Sequence, residues 1–84
     1  MVSRRDLVLL EKYSMMGETR YRLCIEGTNI VINVNAAEEE EAFNKALEIL
    51  EKIGMTDEAL ENIRGLLRSK NAKDLCSKSS VSPR

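Results

Sequence analysis

Arginine and asparagine recur at a spacing of two on either side of a short Gly-containing stretch. Arg20 and Arg22 precede Glu26-Gly27-Thr28-Asn29, and Asn33 and Asn35 follow it. Residues two apart on an extended strand share a face. If the two stretches pair as a hairpin, four hydrogen-bonding side chains lie together, two of them cationic. Arginine grips phosphate with a fork of N–H donors. Asparagine offers a donor and an acceptor to a base edge. Tyr13 joins the same face if the segment ahead of the hairpin is a strand, and its ring would then stack on an unpaired base. Tyr13, Arg20, Arg22, Asn33 and Asn35 are therefore the candidate contact set for single-stranded DNA or RNA. The plain alternative is a solvated outer face, since polar-out alternation is the norm for a sheet covered on one side.

Nothing else in the chain assembles a reaction centre. There is no histidine, which removes the commonest general base and zinc ligand. Phosphate-binding glycine loops, zinc-protease helices and calcium loops are all missing as sequence patterns. Carboxylates crowd into Glu38–Glu41, on what reads as a helix surface, where no cleft would raise a pKa. The expectation is a non-enzyme with no catalytic residue, metal, cofactor or small-molecule substrate. Cys24 falls between Arg22 and Glu26 on the outer face, and a neighbouring cation lowers a thiol pKa, but a small packed residue is the simpler reading. Cys24 and Cys76 form no C-x-x-C pair and no disulfide framework, so Cys76 reads as incidental. The Gly54-Met55-Thr56 connection has the outline of a helix-turn-helix. The positions that would read DNA are Asp57, Glu58 and Glu61, which repel phosphate, so an ordinary helical hairpin is preferred.

The elements that must position the candidate face follow from periodicity. Tyr21, Leu23 and Ile25 alternate with Arg20, Arg22 and Cys24, and Ile30, Ile32 and Val34 alternate with Val31, Asn33 and Asn35. Period-two alternation with β-branched residues marks half-buried strands. A two-residue Gly27-Thr28 turn, with Gly27 at positive φ, sets Ile25 against Ile30, Leu23 against Ile32 and Tyr21 against Val34. Arg22 then faces Asn33, and Arg20 faces Asn35; a turn at Thr28-Asn29 keeps the same faces. Asn35 reads as the N-cap of a following helix, with Glu38 as its capping-box partner. Phe43, Ala46, Leu47, Leu50 and Ile53 form that helix's apolar stripe, and Gly54 ends it. Thr56 caps a second helix with Leu60, Ile63 and Leu67 inward; Gly65 in its interior costs about 1 kcal/mol relative to alanine.

The segment before the hairpin admits two readings. Ser3-x-x-Asp6 suits a helix start, and Leu9, Tyr13 and Met16 fit helical spacing. Leu7–Leu10 followed by Met16-Gly17-Glu18 suits a strand and turn, and a third strand supports an otherwise marginal hairpin. The strand is preferred. The predicted fold is α+β: an antiparallel sheet, made of the hairpin Thr19–Asn35 and a third N-terminal strand, with two C-terminal helices on one face. The alternative order is α-β-β-α-α.

With 84 residues there is room for one domain, predicted over residues 1–70, and a Ser/Lys-rich tail over 71–84 that reads as disordered. A domain of this size buries only about 60% of the surface of its unfolded chain, which favours a homo-oligomer. Charge is uneven: the net −1 divides into +1 over residues 1–35, −5 over 36–69 and +3 over 70–84. The acidic middle reads as a solvated helix face, and the balance carries no strong nucleic-acid signal. No apolar run is long enough for a membrane span or a signal-peptide core, so a cytoplasmic location is the default. Two function classes remain: a non-catalytic nucleic-acid-binding module, and a protein–protein interaction module acting as a homodimer.

Overall fold

Three antiparallel strands are followed by two helices: β1 (Leu7–Met15), β2 (Glu18–Ile25), β3 (Val31–Asn35), α1 (Glu39–Lys52) and α2 (Asp57–Ser69). The computed structural model describes residues 2–73 and 75–77. The sheet order is β1-β2-β3, so β2 is central and the other two strands are edges. The N-terminal segment is thus a strand. Its Ser3/Asp6 signal builds only a short 3-10 turn at Arg4–Asp6, in which the Ser3 N–H donates to Asp6 Oδ2 at 2.9 Å.

The β2–β3 register is the one given by centring the hairpin on Gly27-Thr28; alternation alone fixes only the faces. Arg20 pairs with Asn35, Tyr21 with Val34, Arg22 with Asn33 and Leu23 with Ile32. The turn itself differs from the expected two-residue form. Thr28 N–H donates to the Ile25 carbonyl at 3.0 Å, so the turn spans 25–28 with Gly27 in third place at φ 83°, where a type II turn demands positive φ. Thr28 is fully buried, yet its hydroxyl donates to the Ile25 carbonyl and accepts the Ile30 N–H, so no polar group is stranded.

β1 pairs with β2 through a bulge between Leu9 and Glu11. Before it, Leu7 and Leu9 oppose Ile25 and Leu23 on the covered face. After it, Glu11 opposes Arg22 and Tyr13 opposes Arg20. Uninterrupted alternation would have turned Glu11 and Tyr13 toward the core; the extra residue reverses the phase.

The core lies between the sheet and the helices. Leu7, Tyr21, Leu23, Ile25, Ile32 and Val34 meet Ala42, Phe43, Ala46, Leu50 and Leu60. Ile53, expected in the stripe, is 66% exposed because α1 has ended and Ile53 is its C-cap. The N-cap of α1 is Glu38, not Asn35, which remains the last residue of β3. Glu41 reaches back instead and accepts the Ala37 N–H at 3.0 Å; this bond, helped by Lys45, holds its carboxyl below the usual value against a weaker desolvation. Thr56 caps α2 as expected, accepting the Ala59 N–H.

The β2–β3 loop gathers distant parts of the chain. Glu26 N–H donates to the Asp6 carbonyl, and Arg64 Nε donates to the Glu26 carbonyl, each at 2.8 Å. Gly27 N–H donates to the Cys76 carbonyl, and Cys76 N–H donates to the Thr28 carbonyl. Cys76 also forms a disulfide with Cys24, their Cα atoms 6.2 Å apart. Both cysteines were expected to be free, and the tail loose from Asn71. Beyond α2, Leu75 and Cys76 instead lie against the outer face of the sheet. Residues 74 and 78–84 of the expected tail lie outside the described residues.

Candidate functional site

The outer sheet face, away from the helices, brings all five candidate residues together. Strand pairing places Tyr13 beside Arg20, Arg20 beside Asn35, and Arg22 beside Asn33. The Arg22 guanidinium carbon lies 5.6 Å from the centre of the Tyr13 ring, within cation–π range.

Two carboxylates share this face and change its electrostatics. Arg22 Nη1 donates to Glu11 Oε1 at 2.9 Å, and Arg22 Nε donates to Asn33 Oδ1 at 3.3 Å. Arg20 Nη2 donates to Glu18 Oε1 at 3.1 Å, and Asn35 Nδ2 reaches the same oxygen at 2.9 Å. The two arginines and two glutamates therefore balance. Glu18 was discoverable from the sequence, since it has the parity of Arg20 and Arg22 on one strand. Glu11 was not, because the bulge decides its side. Arg20 Nε is buried without a partner among the described residues, a position a bound water would satisfy.

The other end of the face is apolar and partly roofed. Leu10, Cys24, Thr28, Asn29, Val31, Leu75 and Cys76 line a shallow cavity of about 370 Å³. Cys24 is buried beneath the pinned segment, whereas Leu10 and Val31 remain 43% and 49% exposed. A second groove of about 460 Å³ runs along α1 and the turn after it, between Val2, Leu47, Leu50 and Met55.

The second groove also has Glu48 and Glu51 in its lining. The two carboxylates with lowered pKa values, Asp6 and Glu41, are both held in structural hydrogen bonds. Among the described residues no three potential ligands cluster in a way that would hold a metal ion. No helix among them is long and apolar enough to cross a membrane. Comparison of the chain with protein-family models, with curated proteins and with solved structures finds no match. Function must therefore be argued from the site alone.

Proposed function

We propose that this chain is a non-catalytic protein–protein interaction module that acts as a homodimer. One observation carries the choice: each arginine of the outer face is already matched by a glutamate from a neighbouring position, Arg22 by Glu11 and Arg20 by Glu18. Attraction to a polyanion depends on excess positive charge. A balanced face with exposed Leu10 and Val31 at one end suits a second protein surface better.

Single-stranded nucleic acid is the second reading, favoured by the Arg22–Tyr13 contact beside Asn33. A cytoplasmic location goes with both readings.

Sedimentation across a concentration series, with an NMR titration by short single-stranded DNA and RNA, tests the assignment. A dimer whose outer-face resonances ignore nucleic acid is expected. A monomer at all concentrations overturns the reading. RNA- or DNA-induced shifts at Arg20, Arg22 and Asn33 that weaken steeply with salt would transfer the assignment to nucleic acid.

A further inference from the structure

The two sheet edges are built differently. β1 carries a bulge at Leu10 and then the charged pair Glu11 and Lys12. Bulges and edge charges are the usual devices that stop a strand from pairing with another chain. β3 has neither: Val31-Ile32-Asn33-Val34-Asn35 has no charge and no proline, and its register with β2 is continuous.

Hydrogen-bond direction along β3 is fixed by its two ends. Ile25 N–H donates to the Ile30 carbonyl, and Ala36 N–H donates to the Thr19 carbonyl. Antiparallel bonding alternates, so residues 30, 32, 34 and 36 point their backbone groups at β2. Val31, Asn33 and Asn35 point theirs at the open edge. Lys45 Nζ donates to the Asn35 carbonyl, which keeps a second lone pair.

The helix beside this edge carries a cation and an anion, Lys45 also meeting Glu41 on the same helix. Asn33, Val34 and Asn35 share a groove with Lys45, Glu48 and Ile49 of α1. Ile49 is an exposed hydrophobic, 39% accessible. A two-fold axis perpendicular to the sheet at this edge would bring one copy's Lys45 toward the other's Glu48 and would cover both Ile49 side chains.

We propose that β3 is the seam of the homodimer: two copies pair β3 with β3 antiparallel, Asn33 on the two-fold axis, joining two three-stranded sheets into one. In this register Asn33 bonds Asn33 of the other copy, and Val31 bonds Asn35. The two outer faces then lie side by side as one surface. The inference rests on the homodimer reading and moves its contact from the outer face to the β3 edge.

Amide hydrogen exchange at rising protein concentration, run beside sedimentation, tests it. The amides of Val31 and Asn33 should slow as dimer forms, while those of Ile32 and Val34 are protected throughout. Asn33→Pro removes an edge-facing N–H and leaves the backbone bonds to β2 in place, losing only the side-chain oxygen that Arg22 Nε meets, and should weaken the dimer by about tenfold or more. Ile49→Glu should weaken it too, without altering the strand. A dimer in which the Val31 and Asn33 amides still exchange freely overturns the seam and leaves the homodimer standing. A monomer throughout overturns both.

Discussion

Arg64, in the middle of α2, places Nη2 3.3 Å from Asp6 Oδ1 at the start of the sheet. The same guanidinium holds the Glu26 carbonyl. Leu60 is the one fully buried residue of α2, so this clamp is a main reason the helix stays on the sheet. The two side chains are only 19% and 23% exposed, and the pair is not discounted as a surface ion pair would be. Arg64→Met keeps the aliphatic stem and removes both contacts. A loss of about 2 kcal/mol is expected in urea melts, and a loss near zero would mean that Leu60 alone docks α2.

Acid should act through the same clamp. Burial pushes the Asp6 carboxyl upward, but the Ser3 N–H and Arg64 outweigh it and hold the group below its ordinary 3.8. A lowered carboxylate stabilises the fold fully above its unfolded pKa, and that contribution is lost as pH falls through the folded value. Urea titrations from about pH 6 down to pH 2 should show stability falling below the ordinary carboxylate range. Asp6→Asn should be less stable at neutral pH and should lose less on acidification. Equal acid losses in the two proteins would remove Asp6 from the account.

Two glycine-to-alanine changes should move stability in opposite directions. Gly27 has φ 83°, and a Cβ there would lie 3.0 Å from Arg64 Nε. Gly27→Ala meets left-handed strain of about 1–2 kcal/mol and presses on the clamp as well. Gly65 is helical, with open space where its Cβ would go. Gly65→Ala should therefore stabilise by about 1 kcal/mol. Thermal melts of the two variants decide the matter, and a destabilised Gly65→Ala would show that the helix has an undetected constraint there.

Reduction should weaken the fold substantially. The Cys24–Cys76 bond closes a loop of 52 residues' separation, and the chain-entropy estimate for such a loop is about 4 kcal/mol. The segment it holds is also tied by backbone bonds between Cys76 and Gly27 and Thr28. Melts with and without dithiothreitol, and of Cys76→Ser, should agree with each other and fall well below the oxidised protein. Identical melts in oxidised and reduced samples would mean that the bond constrains nothing the fold needs.

How far these features were legible in the sequence follows from whether they depend on local pattern or on the path of the chain. The face assignment of β2 and β3 is local: it follows from alternation on both sides of Gly27 and survives a change of turn, whereas Arg22 opposite Asn33 also needs the hairpin centred on Gly27-Thr28. Thr56 and Gly54 mark helix ends by side-chain and backbone chemistry that neighbours do not alter. The outer position of Glu11 depends on a bulge, and Leu7-Val8-Leu9-Leu10 gives no period by which to place one. The disulfide depends on where the chain goes after α2, which spacing between two cysteines cannot show. The five candidate residues do converge, but the glutamates that offset their charge come partly from the strand with the irregular register.

The charge balance of the outer face can be tested by removing it. Glu11→Gln with Glu18→Gln keeps the hydrogen-bonding oxygens opposite Arg22 and Arg20 and deletes two negative charges. The fold should tolerate this, because both carboxylates are about half exposed and such pairs add at most about 1 kcal/mol. The face would then carry two uncompensated arginines beside Tyr13 and Asn33. Fluorescence anisotropy with a short single-stranded RNA should detect binding by the double variant at low salt, lost as salt rises, and little or none by the wild type. If the wild type already binds as strongly as the variant, the glutamates do not mask the arginines, and the argument against nucleic acid loses its footing.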